Sequence, residues 1–96
     1  MAAPLEQASL RIGGDMTIYQ AAGLKEEVLQ ALAGAGGLEL DLSAVSEIDT
    51  SGVQLLMLAR NTAQANGQAL RLLSPSAAVQ EVLATLNLTA WFEGCL

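Results

Sequence analysis

The sequence predicts an α/β protein: a small mixed sheet of about four to five strands packed with three to four helices. Three observations carry this. Apolar and polar residues alternate over residues 8–14 and 38–42. Apolar residues recur at helical spacing over residues 19–33, 51–66 and 75–86. The two patterns take turns along the chain, and strands that alternate with helices need crossover connections, which favour a parallel or mixed sheet. With 96 residues, 52% of them hydrophobic, and a mean hydropathy of +0.41, the chain fits one small domain over residues 1–96 with a real core. Residues 8–94 form its expected body.

Residues 8–14 (Ala-Ser-Leu-Arg-Ile-Gly-Gly) read as an edge strand that ends in a glycine turn. Residues 15–19 fit either a short second strand or an extended lead-in to a helix, with Thr17 or Asp15 as a possible N-cap. Residues 19–33 are an amphipathic helix. Ala21, Leu24, Val28 and Leu32 share one face, and Lys25, Glu26, Glu27 and Gln30 take the others. Gly34-Ala35-Gly36-Gly37 stops it. Leu38, Leu40 and Leu42 alternate with Glu39 and Asp41, so one face of that strand is apolar. Residues 45–48 lead into the turn Asp49-Thr50-Ser51-Gly52.

The helix after this turn, residues 51–66, is the most apolar of the three. Leu55, Leu56, Ala59 and Ala63 suffice for a core stripe, and Val53, Met57 and Leu58 add apolar surface beyond it. Such a helix is buried on more than one side or covered by a partner. Asn66-Gly67 supplies its C-cap and turn. Residues 69–73 read as a strand. Ser74 and Pro75 read as N-cap and first position of the last helix, which Val79, Val82, Leu83 and Leu86 mark and Asn87 ends. Residues 88–92 form a short final strand or an apolar tail, with Trp91 and Phe92 as packing anchors.

Composition removes several chemistries. There is no histidine, so imidazole catalysis and histidine-ligated metals are absent. Cys95 is the only cysteine, next to the chain end, where a frayed position is expected. No nucleophile–base pair is apparent, so the chain is not expected to be an enzyme, and no cofactor or metal is expected. The glycines at 34, 36 and 37 follow no strand and lack the lysine and hydroxyl of a phosphate loop, so weak nucleotide binding has no motif behind it. Net charge is −6, with only Arg11, Lys25, Arg60 and Arg71 positive. Four cations make no stripe for nucleic acid or an anionic membrane. No apolar run reaches the ~20 residues of a membrane span, and residues 1–6 carry neither a basic region nor an apolar one of a signal peptide. The expected location is the cytoplasm.

The chemistry-bearing stretch is the turn at residues 49–52. It places a carboxylate and two hydroxyls where a strand meets a helix N-terminus. A hydroxyl there either caps the exposed N–H groups or is a modification site beside a positive helix end. Both roles are open to Thr50 and Ser51, and Ser51 can cap while Thr50 faces outward. Asp49 suits the helix dipole or orients a neighbouring hydroxyl. Gly52 fits a tight turn or lets a partner approach the backbone.

The element order, together with Leu40-Asp41-Leu42-Ser43, then Asp49-Thr50-Ser51-Gly52 before an apolar helix, then Leu72-Leu73-Ser74-Pro75 before a helix ending Leu86-Asn87-Leu88, resembles the STAS domain (sulfate transporter and anti-sigma factor antagonist). Tyr19-Gln20-Ala21-Ala22 at the first helix also fits, and the resemblance covers residues 8–94. It implies a regulatory protein-binding module like the stand-alone bacterial anti-sigma factor antagonists. In those proteins the hydroxyl directly after the aspartate is the phosphoacceptor. That position is Thr50, with Ser51 as second choice and Asp49 and Gly52 as its environment. The implied partners are a serine kinase of the anti-sigma type and its cognate phosphatase, or chemotaxis-like signalling proteins. The alternative implied by similar small domains is a non-phosphorylated subunit docking on the ATPase of an ABC phospholipid transporter. On the helix itself, Val53, Met57 and Leu58 are the expected partner contacts.

Overall fold

The second strand sets the frame. In the computed structural model, which describes residues 7–96, β2 (Gly37–Ile48) lies between β1 (Gln7–Met16) and β3 (Ala69–Leu73), and both neighbours run parallel to it. The helices are α1 (Ala21–Leu32), α2 (Thr50–Ala65) and α3 (Ala77–Thr85). The expectation for residues 1–6 lies outside the described residues.

The register follows from the leucine alternation. Ala8, Leu38 and Leu70 stand side by side, as do Leu10, Leu40 and Leu72. Leu38, Leu40, Leu42, Leu70 and Leu72 are buried. The alternate positions line the other face, where Ser9, Glu39 and Arg71 form one row and Arg11, Asp41 and Leu73 the next. Opposite charges thus stand on adjacent strands, the pairing that supports rather than opposes a sheet. A one-residue slip would exchange the two faces and bury these charges, so the pattern fixes the register.

β1 to α1 to β2 and β2 to α2 to β3 cross in the same direction along the sheet. Right-handed crossovers therefore put α1 and α2 on one face, where they touch each other. The core lies between them and the leucine face. Val28 and Leu32 enter it from α1, Val53, Leu55, Leu56, Ala59 and Ala63 from α2, and Val79 and Leu83 from α3. The buried arc on α2 is broad, but the helix is not the most apolar of the three as expected: its other side is polar, and α3 carries the higher apolar fraction. β3 is short, and α3 then packs against β2, with the Ser76 N–H donating to the Leu42 carbonyl at 3.2 Å.

Several expectations are corrected. Among the described residues the sheet has three strands, all parallel, rather than four or five in a mixed sheet. Gly13-Gly14 does not turn the chain. β1 passes through it with register shifts on either side, and Gly14 takes φ +77°, so the glycines accommodate irregular pairing. Asp15 and Met16 belong to β1, and residues 17–20 form a turn. Neither Thr17 nor Asp15 caps α1 through its side chain: Gln20 occupies the cap position, and the Thr17 carbonyl accepts from the Gln20 and Ala21 N–H groups. Ser74 is not the cap of α3. It sits at φ 48° and turns the chain, and Ser76 accepts from the Val79 N–H at 3.3 Å. Residues 88–92 make helical turns, not a strand, with the Leu88 carbonyl accepting from the Phe92 N–H. The tail does pack inward. Phe92 is fully buried, Trp91 meets it edge-on at 4.7 Å, and the Arg60 guanidinium lies 4.2 Å over the Trp91 ring. Cys95 is not a frayed residue. It is buried, and its carbonyl accepts from the Leu72 N–H on the outer side of β3 at 2.7 Å.

Both later helices stop as their sequences predict. Gly67 (φ 67°) and Asn87 (φ 56°) take left-handed conformations. The N–H groups of Gln68 and Leu88 reach back to the Ala63 and Leu83 carbonyls, each at 2.8 Å, the pattern of a Schellman end. Gln68 also ties two helices together. Its side-chain amide donates to the Leu32 and Ala35 carbonyls beyond the end of α1. Gln68→Ala is therefore expected to lower stability by about 1–3 kcal/mol, because the part-buried Ala35 carbonyl loses its partner and the Leu32 carbonyl keeps only the Ala35 N–H. Urea denaturation of the two proteins measures this, and an unchanged midpoint would show the clamp to be unimportant.

Candidate functional site

The carboxyl ends of parallel strands are where α/β sheets present functional groups. Here β1 and β2 end side by side, with Met16 opposite Ile48. Each then turns into a helix, so the turn before α1 and the start of α2 are neighbours.

Asp49 joins them. Its Oδ1 accepts from the Ser51 and Gly52 N–H groups at 2.9 and 3.2 Å, and its Oδ2 accepts from the Ile18 N–H at 3.0 Å. Its own N–H donates to the Met16 carbonyl at 3.3 Å, and its carbonyl accepts from Val53. The capping group of α2 is thus the carboxylate, and neither hydroxyl has that role. A short acidic side chain in extended backbone reaches the first helical N–H groups, and its charge suits the positive helix end. Partial burial pushes the Asp49 carboxyl up, but the N–H groups of Ile18, Gly52 and Ser51 together outweigh it and hold the pKa below the usual aspartate value. Asp41 lies low as well, held chiefly by the Ser43 hydroxyl and N–H, with Arg11 adding to the effect.

Gly52 is explained by close packing. A Cβ there would run into the Met16 carbonyl oxygen and lie 2.8 Å from Ile48 Cγ1 and 2.9 Å from Met16 Cβ. Its φ is not in the left-handed region, so turn geometry is not the reason. The first turn of α2 is pressed onto the end of β1, which leaves no room for an approaching partner at Gly52.

Thr50 is exposed and Ser51 half-buried. Val53, expected as a partner contact, is buried at 3% exposure and belongs to the core, because it faces the sheet one position past Gly52. Met57 and Leu58 are both half-buried, Met57 against the core and Leu58 in a groove beside α1. The sequence reading missed Ile18 and Tyr19, which are 66% and 90% exposed beside Asp49 in the turn. The signal was there: neither the strand alternation nor the helical stripe accounts for these two apolar residues. On the other flank, Thr17, Glu47, Asp49, Glu81 and Thr85 line an acidic groove between the end of β2 and α3. Among the described residues no three carboxylate or thiol groups stand close enough to share a metal ion, and no helix is long and apolar enough to cross a membrane.

A family model described as "Mlab, STAS domain" matches residues 1–93. The chain belongs to the STAS family. Two solved structures share the STAS fold with it. One is the anti-sigma factor antagonist SpoIIAA in its unphosphorylated form, at a TM-score of 0.68 and 19% identity, over 88% of this chain and 78% of that one. The other is a sulfate transporter family protein from Wolinella succinogenes, at a TM-score of 0.72 and 18% identity, over 95% of this chain and 75% of that one.

Two outcomes test the geometry of this STAS turn. Gly52→Ala, which in an open helix would stabilise by about 1 kcal/mol, is expected to destabilise by about 1–3 kcal/mol through overpacking against Met16. Urea denaturation gives the sign. The second concerns pH. A folded pKa below the unfolded one means that protons favour the unfolded state. The stabilisation from Asp49 is therefore complete above the unfolded aspartate pKa of about 3.9 and is lost as pH falls through the lower folded value. Acid titration monitored by circular dichroism is expected to show a shallower loss of stability for Asp49→Asn than for the parent. Equal slopes would remove Asp49 as the titrating group.

Proposed function

We propose that this STAS protein is a non-enzymatic, cytoplasmic regulatory module that binds a protein partner through the start of α2 and the adjoining turn, and that phosphorylation of Thr50 switches the binding off. The observation that carries this reading is the division of labour at the turn. Asp49 alone supplies the cap, so the exposed Thr50 hydroxyl is not needed for folding. Exposed Ile18 and Tyr19, held beside it through the Asp49–Ile18 bond, give a partner an apolar surface to cover. Ser51 is the second choice as acceptor, though its half-burial makes it the harder one to reach.

The switch has a simple electrostatic basis. A phosphate brings about −1.5 to −2 charges. On Thr50 it sits next to a carboxylate kept ionised by its hydrogen bonds, on a chain of net charge −6. In an interface shaped for a neutral hydroxyl, repulsion and desolvation of about 3 kcal/mol correspond to roughly a hundredfold loss of affinity. The partner class is a serine kinase of the anti-sigma type with a cognate phosphatase, or a chemotaxis-like signalling protein. A second reading, constitutive docking on the ATPase of an ABC phospholipid transporter, draws on the same exposed pair: Ile18 and Tyr19 suit a surface that stays covered.

Phosphosite mapping of the protein from its native host, with phosphatase-treated material as control, separates the two. Phosphate on Thr50 is expected. Its absence across growth and stress conditions would leave constitutive docking as the function. With the partner in hand, Thr50→Ala is expected to keep the fold and bind like the unmodified protein, and Thr50→Glu to bind at least tenfold more weakly. Equal affinities would sink the switch.

A further inference from the structure

Resting on the docking reading above, we infer that the groove between α1 and α2 is a second contact point, which receives an aliphatic side chain of the partner together with a carboxylate that pairs with Lys25. The groove has a volume of about 250 Å³ and is lined by Ala21, Ala22, Lys25, Ser51, Gln54 and Leu58, with Leu55. It begins at Ser51, one residue from Thr50, so a partner seated on the α2 N-terminus can reach it without leaving the surface.

Charge argues for the occupant. Lys25 is exposed and is one of four cations on a chain of net charge −6. The other three are placed elsewhere: Arg11 and Arg71 stand among the carboxylates of the open sheet face, and Arg60 stacks on Trp91. The neighbours of Lys25 at helical spacing are Ala21, Ala22, Val28 and Leu29, all neutral. Across the groove, α2 offers only Ser51, Gln54, Leu55 and Leu58, also neutral. A lysine that faces no carboxylate from either helix packed around it is complementary to an acidic group from outside. The small side chains of Ala21 and Ala22 open the groove, and Leu55 and Leu58 give it an apolar floor. A helix presenting a leucine-like residue with Asp or Glu one turn away fits both features. An apolar anchor in a desolvated pocket supplies affinity, while a rim charge pair chiefly sets orientation and partner choice.

The test uses the full chain in its native host, with the photo-crosslinker p-benzoylphenylalanine in place of Leu58 and, in a separate variant, of Thr50. Both positions are expected to crosslink to one protein. The Leu58 adduct is expected on a segment with Asp or Glu within four residues. Lys25→Glu, an exposed change that leaves circular dichroism unaltered, is expected to weaken that complex about tenfold. Replacing the mapped partner carboxylate by lysine is expected to restore it. Crosslinking from Thr50 without crosslinking from Leu58 would overturn the groove proposal and leave the docking surface standing. So would parent-like affinity of Lys25→Glu, or failure of the charge swap. No crosslink from either position would overturn the docking reading itself, and the groove proposal with it.

Discussion

The fold and the proposed docking surface both depend on one carboxylate. Asp49 accepts three backbone N–H groups from two chain segments that are far apart in sequence. Two belong to the first turn of α2, and the third belongs to the turn that launches α1. The Asp49 N–H then reaches the last residue of β1. Four backbone groups that would otherwise need water are thus satisfied at one residue, and each bond constrains the direction in which a helix leaves the sheet. Charge makes the arrangement stronger than a serine cap would, since hydrogen bonds to an ionised acceptor exceed neutral ones.

Gly52 completes this junction by what it lacks. With no Cβ, the first turn of α2 settles against the Met16 backbone, which brings Asp49 close enough to Ile18 to hold the neighbouring turn. A rigid base follows for a surface whose exposed parts, Ile18, Tyr19 and Thr50, carry none of the core. In the proposed switch, that separation would let a modification act on binding without acting on the fold. A phosphate on a capping hydroxyl would have altered the helix start itself. On Thr50 it adds charge outside a cap that is already complete.

The sequence carried the helices, the central leucine strand and the later helix ends, because each rests on local spacing or on a single residue type. The alternation of Leu38, Leu40 and Leu42 and the glycine and asparagine after α2 and α3 are of this kind. The glycine pair in β1 misled because Gly13-Gly14 signals a turn as readily as a bulge, and the choice depends on β2 lying alongside. Ser74 and Ser76 are both chemically competent caps, and the bond from Ser76 to Leu42 on another strand decides between them. Val53 counted as surplus apolar surface on a helical wheel, but the tight seating of Gly52 turns that side of the helix into the core. The turn at residues 49–52 stood out as a candidate site from its residue types alone. That Asp49 rather than a hydroxyl would cap it depended on the position of Ile18, thirty-one residues earlier.

This long-range bond also constrains how such a surface can respond. Because Asp49 binds the Ile18 N–H directly, the turn before α1 and the start of α2 are held as one piece. A partner that covers Ile18 and Tyr19 therefore also meets the edge at Thr50, and added charge there is felt across the whole contact rather than at one residue. The electrostatic cost does not depend on a conformational change, since the Asp49 carboxyl beside Thr50 is already held in its ionised form by its own hydrogen bonds. The proposed switch therefore needs no second fold: the geometry would stay fixed, and only the charge presented by the same surface would differ between the two states.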